Sequence, residues 1–177
     1  MINVDDEINL RLLSLASAAT IYESINSSRS HLREWLPFVD ATKNVIETSD
    51  FIKSVLNSRN LKQDRIYEIW YKNNFAGLIS FKEIDKLNNK VEMGYWLDAK
   101  ITGKGIMVRS VKRLVSYAFK EMKMNRLKLK VAIGNTKSKA ISQKTGFKFE
   151  GIEREGEFLN GKYHDLEIYS LLKKEWS

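Results

Sequence analysis

A run of strand, glycine turn, helix and strand in the middle of the chain restricts the possible folds more than any other feature. Lys90–Leu97 alternates apolar residues with others at a period of two, as a half-buried strand does. Gly103 and Gly105 follow this strand, and apolar residues then recur at helical spacing over Met107–Phe119. Arg126–Ile133 alternates again. This order predicts two parallel strands joined by a helical crossover.

The two glycines between the strand and the helix favour an anion-binding turn. Backbone N–H groups approach a ligand closely at glycine, and those of a helix's first turn carry about half a positive charge. The P-loop and the dinucleotide fingerprint both need further glycines, which Thr102–Arg109 lacks. Glycine also begins helices for conformational reasons alone, so this turn is evidence for a phosphate site only in a wider context.

The other segments extend this unit to a mixed α/β domain, which we expect to cover residues 1–177 as a single domain. The further predicted strands are Glu7–Leu12, Arg65–Tyr71, Phe75–Ile84, Phe147–Glu155 and Tyr163–Leu172. The sheet should therefore contain about seven strands with a parallel pair at its centre.

Polar caps followed by apolar residues at helical spacing predict helices on both faces of this sheet. The predicted helices are one that starts after Ser14 or Ser17, Ser30–Leu36 before Pro37, Thr48–Ser58 capped by Thr48 or Ser49, and a short helix from Asn135 to Gly146.

Composition limits the possible functions. Cysteine is absent, which excludes thiolate chemistry and disulfides, and no apolar run is long enough to span a bilayer. We expect a cytoplasmic protein without a membrane partner. His31 and His164 lack metal-ligand spacing, so no metal is expected. The net charge of +8 suits an anionic ligand, whereas no zinc, helix-turn-helix or RNA signature supports nucleic-acid binding.

Three motifs occur in a fixed order along the second half of the chain. They are the glycine turn Thr102–Met107, Asn135 with Ser138 ahead of Gly146-Phe147, and the segment Gly156–Asp165 that contains Glu157. Together with the order of elements, they resemble the GNAT superfamily of N-acetyltransferases over residues 7 to 176. Within it, they are similar to the enzymes that acetylate the amino termini of ribosomal proteins.

The resemblance implies the GNAT fold, acetyl-CoA as cofactor and an amine as acceptor, with a ribosomal protein N-terminus as the acceptor of the similar enzymes. It also implies that the strands splay near Tyr95 and Leu129 to admit the cofactor. Glu157 would be the general base and Ser138 the acid, because Ser142 stands where the family has a tyrosine. The family and an apolar C-terminal strand further suggest a homodimer or higher homo-oligomer.

Site residues follow from the motifs and the resemblance. The cofactor-binding residues are expected to be Trp96, Leu97, Thr102, Gly103, Lys104, Gly105, Ile106, Met107, Val108, Asn135, Ser138 and Ser142. The acceptor site is expected to be lined by His31, Trp35, Tyr95 and Glu157. Thr102 and Met107 depart from the family pattern, which has Gln or Arg and a small residue at these two positions.

Simpler interpretations exist for the same residues. Asn135 and Ser138 are also what a helix cap requires, and Glu157 is of a type that usually remains a solvated surface charge.

The sequence leaves two classes of acceptor open, a protein α-amine and a small amine such as a polyamine or an aminoglycoside. An α-amine, with a pKa of about 7.7–8.0, needs less help from a base than lysine does. A non-catalytic CoA-binding or RNA-associated protein is the remaining alternative.

Overall fold

The computed structural model describes the backbone of residues 1–62 and 65–176, and the side chains of these residues except 58–62. Its centre is one mixed sheet of eight strands in the order β1-β2-β3-β4-β5-β6-β8-β7. The strands are β1 Ile2–Asn3, β2 Ile8–Leu12, β3 Arg65–Tyr71, β4 Asn74–Asp85, β5 Lys90–Leu97, β6 Arg126–Ala132, β7 Lys148–Leu159 and β8 Lys162–Leu172. Within the described chain, β5 and β6 pair in parallel and all other neighbours are antiparallel. The predicted central parallel pair is confirmed.

Five α-helices of the described residues flank this sheet. They are α1 Ala18–Ser27, α2 Arg29–Leu32, α3 Val45–Lys62, α4 Ile106–Lys120 and α5 Thr136–Lys144. The apolar side of α4, including Val111 and Leu114, forms one core with one face of the sheet. Ile21 of α1 and Ile52 of α3 form a second core with Leu78 and Trp96. Helices therefore cover both faces, as predicted. No described helix combines the length and apolarity needed to cross a bilayer.

Helix starts were predicted less well than strands. The prediction that Thr48 or Ser49 caps the third helix is wrong, because α3 begins at Val45 and the Asn44 side chain accepts a hydrogen bond from the Glu47 N–H at 3.0 Å. Ser14 does act as a cap, but of a short 3₁₀ turn, Leu15–Ser17, that precedes α1. The second helix ends at Leu32 rather than at Leu36.

The C-terminal hairpin is longer than predicted. β7 continues to Leu159 instead of ending at Glu155, and Asn160-Gly161 forms a tight turn into β8. A register shift between Glu153 and Glu157 absorbs extra residues, and Glu155 has a φ of +52° there. Glu157 consequently lies on a strand rather than in a loop. β1 is the one strand of the eight that was not predicted, and it has only two residues.

Two buried serines lead to opposite expectations for stability. Ser110 of α4 is fully buried, and its hydroxyl has no hydrogen-bond partner among the described residues. We expect Ser110→Ala to raise the free energy of unfolding by up to about 1 kcal/mol, since the unpaired hydroxyl costs desolvation. The Ser24 hydroxyl instead donates to the Asp98 carboxylate at 2.8 Å. Ser24→Ala should lower the free energy of unfolding by about 1–3 kcal/mol.

Urea unfolding of both variants measures this difference. Equal losses in the two variants would contradict the assignment of Ser110 as the unpaired group.

Candidate active site

The parallel strands at the centre of the sheet separate along their length. β5 and β6 pair from Lys90 opposite Arg126 to Met93 opposite Leu129, and no pairing follows in the described residues. Beyond this point β5 still pairs with β4 as far as Leu97, and β6 pairs with β8 as far as Ala132. The two strands therefore leave a slot between them, and the predicted splay near Tyr95 and Leu129 is confirmed.

Backbone donors of β5 face this slot beyond the last parallel pair. The N–H of Asp98 donates to the Ala76 carbonyl of β4 at 2.8 Å. Successive N–H groups of a strand point to opposite sides, so the Trp96 N–H faces β4 and the Leu97 N–H faces the slot. Of the Trp96 and Leu97 N–H groups, it is therefore that of Leu97 which is directed toward the slot.

The glycine turn ends at an open helix N-terminus. Gly103 and Gly105 have φ values of +83° and +70°, and no atom lies within 4 Å of where a Cβ would be placed on either residue. The first backbone bond into α4 runs from the Arg109 N–H to the Gly105 carbonyl, and no side chain caps this end. The N–H groups of Ile106, Met107 and Val108 are thus available to an anion, which fits a pyrophosphate.

Side chains of the turn contribute little to this anion site. The Thr102 hydroxyl donates to the Ala99 carbonyl at 3.2 Å, and the Lys104 ammonium lies 5.7 Å from the centre of the Tyr71 ring. Ile106 and Met107 point into the core. The larger residue at position 107 therefore does not crowd the turn, and the turn presents mainly its backbone.

A buried cluster that the sequence did not indicate anchors the start of this turn. The Asp98 carboxylate accepts from the Ser24 hydroxyl at 2.8 Å and from the Lys100 N–H at 2.9 Å. The Ala99 N–H donates to the Ser28 hydroxyl at 3.0 Å. Helix α1 is thereby joined to the segment that leads into the glycine turn. The residues are ordinary in type and far apart in sequence, so no local signal marks them.

Tyr95, Ser138 and Ser142 meet near the first turn of α5, which Asn135 precedes. Asn135 caps the helix by accepting from the Ser138 N–H at 3.0 Å, so the capping interpretation is confirmed. The Ser142 hydroxyl is buried and donates to the Ser138 carbonyl at 3.1 Å. The Tyr95 hydroxyl crosses from β5 to the same carbonyl at 3.4 Å. Ser138 itself is half-buried, and its side chain interacts with the Tyr95 phenol.

The Tyr95 phenol remains protonated at neutral pH. Burial raises the pKa of Tyr95 to about 12, and hydrogen bonding by Ser138 and Ser142 opposes that rise. A neutral phenol can serve as a donor that holds the first turn of α5 at a fixed distance from β5.

Glu157 faces His164 across the terminal hairpin and is half-buried. Burial raises the pKa of Glu157 above its usual value, while the charges of Lys82, His164 and Lys130 lower it. The carboxylate thus remains a stronger proton acceptor than a solvated glutamate would be. Lys82 and Lys130 were not predicted as site residues, because they lie on strands distant from Glu157 in sequence.

The segment after α2 closes one side of this region. The Trp35 ring lies 3.7 Å from the position that a Cβ on Gly134 would occupy, immediately before Asn135. The Asn160 side chain donates to the Arg33 carbonyl at 3.1 Å, which joins the hairpin turn to the same segment. In the described chain, no hydrogen bond or ion pair joins the His31 side chain to these residues.

The proteins to which this chain is similar are acetyltransferases. A family model described as "Acetyltransferase (GNAT) domain" matches residues 7–148. The putative ribosomal N-acetyltransferase YdaF of Bacillus subtilis (strain 168) is 34% identical over 178 residues, covering 98% of this chain and 95% of that protein.

Two solved structures share the fold over nearly their whole length. RimL, described as a ribosomal L7/L12 alpha-N-protein acetyltransferase in complex with coenzyme A, has a TM-score of 0.92 at 26% identity and covers 97% of each chain. MccE, a microcin C7 self-immunity acetyltransferase in complex with acetyl-CoA and AMP, has a TM-score of 0.90 at 30% identity, covering 96% of this chain and 94% of its own.

Proposed function

This chain belongs to the GNAT acetyltransferase family and is an acetyl-CoA-dependent N-acetyltransferase, and on that premise we propose that its acceptor is the N-terminal α-amine of a ribosomal protein. The names of YdaF and RimL support this acceptor class. The observation that carries the proposal is the half-buried Glu157 with its raised pKa, because one carboxylate base suffices for an α-amine of pKa about 7.7–8.0.

The first role of the chain is to hold two molecules together. The N–H groups at the start of α4 would bind the pyrophosphate, and the slot between β5 and β6 would receive the pantetheine arm. Asn135 keeps its NH₂ group for that arm, since no described residue accepts from it. Placing the thioester beside the amine makes the reaction effectively unimolecular, which lowers the barrier by several kcal/mol.

The second role is to move protons and stabilise charge. Glu157, directly or through a water, would remove the proton of the acceptor ammonium and expose its lone pair. The Leu97 N–H would donate to the oxygen on which negative charge develops. The Ser138 hydroxyl would protonate the departing thiolate, with its helix turn held by Tyr95 and Ser142.

Mass spectrometry of candidate acceptors incubated with acetyl-CoA tests this proposal. A gain of one acetyl group on peptides that carry ribosomal-protein amino termini is the expected result. Transfer to small amines alone would favour the second candidate, a small-amine acetyltransferase. Retained coenzyme A with no transfer to any amine would point instead to a non-catalytic CoA-binding protein.

The choice of Ser138 over Ser142 as the acid predicts a clear difference between two variants. The Ser142 hydroxyl is fully buried and donates to the Ser138 carbonyl, whereas Ser138 is only half-buried. Ser138→Ala should therefore lower kcat by about 10²-fold with little change in acetyl-CoA affinity. Ser142→Ala is the matched control and should keep most of the activity. Loss of turnover in Ser142→Ala alone would show that the wrong serine was chosen.

We also propose that residues 1–177 act as one domain that forms a homodimer. The hairpin at the edge of the sheet exposes Phe149 by 55%, Ile152 by 52% and Phe158 by 58%, an apolar surface suited to a second copy. Light scattering at several protein concentrations measures the mass in solution.

A further inference from the structure

The side chain of Lys82 on β4 extends across the neighbouring strand, β5, near the start of the slot. A Cβ placed on Gly94 of β5 would be 2.8 Å from the Lys82 Cε and 3.0 Å from its Nζ. Gly94 is the residue directly after the last parallel pair of β5, where the strands begin to separate. The absence of a side chain at Gly94 therefore lets the ammonium of Lys82 reach the rim of the slot.

Lys82 is a cation without a partner in this region. Lys130, which also acts on Glu157, pairs with Glu153 at 2.8 Å. Glu92, opposite Lys82 in the ladder, pairs with Lys128 at 2.9 Å. Lys82 itself forms no ion pair with any residue that the structure describes. Lys82 is thus a cation that acts on the candidate base and has no ion pair of its own in the described chain.

We propose that Lys82 selects acceptors that carry a negative charge close to the reacting amine and disfavours polycationic amines. This inference rests on the proposed function, because it assigns a substrate class to the same site. The reacting ammonium is attracted by Glu157, but a second ammonium on the same acceptor meets Lys82. A carboxylate on the residue after the amino terminus is instead attracted by Lys82.

The size of this selection depends on screening. Lys82 is exposed and Glu157 is half-buried, so solvent screens the charge of Lys82 and the selection should be modest. A selectivity of about 10-fold corresponds to the modest energies of such pairs and should fall as salt is added.

Competing acceptors test the inference directly. Two amidated hexapeptides begin with the same serine and differ only at their second residue, aspartate or lysine, and spermidine is the third acceptor. The wild type should acetylate the aspartate peptide with a kcat/KM about 10-fold above that of the lysine peptide, with spermidine lowest. Lys82→Met should remove this preference and Lys82→Glu should reverse it.

A matched variant controls for net charge. Lys86 lies in the exposed turn between β4 and β5, so Lys86→Met removes the same charge outside the site and should keep the wild-type ratio. Acetyl-CoA affinity, measured by calorimetry, should be alike in all of these variants.

A pH profile provides a second readout. Glu157 is faced by Lys82 from β4, by Lys130 and its partner Glu153 from β6 and β7, and by His164 from β8. Lys82 lowers the pKa of Glu157, so Lys82→Met should raise that pKa and move the rising limb of the rate profile to higher pH.

Each outcome decides one question. An identical peptide ratio in the wild type and Lys82→Met, or a wild-type preference for lysine or spermidine, would overturn this inference and leave α-amine or small-amine transfer standing. No transfer to any of the three acceptors would overturn the proposed function, and this inference with it.

Discussion

Glu157→Gln is expected to lower kcat by about 10²–10⁴-fold, the usual loss when a general base is removed. Glutamine keeps the shape of the side chain but cannot accept the ammonium proton. Acetyl-CoA affinity should not change, because Glu157 lies on the terminal hairpin and not at the glycine turn. Steady-state kinetics with calorimetry on the same samples separate these two quantities.

The pH dependence of the variant distinguishes a base from a binding residue. In the wild type, the rate should rise as Glu157 and the acceptor amine lose their protons, and the first step should occur above the pH at which a free glutamate titrates, since burial raises its pKa. In Glu157→Gln only the ionisation of the acceptor should remain. A raised KM with unchanged kcat would instead mean that Glu157 only binds a cationic acceptor.

Glu155 provides the control for this experiment. It is an exposed glutamate on the same strand, two positions from Glu157. Glu155→Gln should therefore retain the activity and the pH profile of the wild type. If both variants lost activity equally, the loss would reflect the hairpin and not the proton transfer.

Gly105→Val is expected to weaken acetyl-CoA binding by on the order of 10–100-fold. Gly105 immediately precedes α4 and has a φ of +70°, a conformation that valine strongly disfavours. A side chain there would also fill the open space above the first N–H groups of the helix. Calorimetric titration of the folded variant with acetyl-CoA measures the effect.

A variant at Gly161 distinguishes weaker acetyl-CoA binding from a general loss of folding. It has a φ of +77° in the hairpin turn, again with no atom within 4 Å of a placed Cβ. Gly161→Val should suffer a similar conformational cost but keep the affinity for acetyl-CoA. Unchanged affinity in Gly105→Val would remove the glycine turn from the binding site.

The strands of this protein could be predicted closely because their signal is local. β3 and β5 begin and end at the predicted residues, since alternation along Arg65–Tyr71 and Lys90–Leu97 reports burial on one face directly. The start of α3 was missed because Asn44, rather than a hydroxyl residue nearer the apolar positions, accepts from the first turn. Several polar residues precede that helix, and sequence alone does not rank them.

The site was predictable only in its local parts. The glycine turn and the Asn135 cap are each contained in a few consecutive residues, so their geometry follows from residue type. The charges around Glu157 depend instead on which strands become neighbours and on a bare Gly94 that lets Lys82 pass. The same is true of the Tyr95 bond to α5. Such contacts arise from sheet order, which one sequence does not specify.

The separation of β5 from β6 gives this sheet two unpaired edges in its interior. Unpaired edges at the outside of a sheet invite pairing with other chains and are a source of aggregation. Here the open donors, such as the Leu97 N–H, lie inside the sheet, between β5 and β6, and not at its outer edge. A thin, extended molecule with amide groups can still enter. The unpaired N–H groups of the strand edge are thereby available to a ligand and not to another strand.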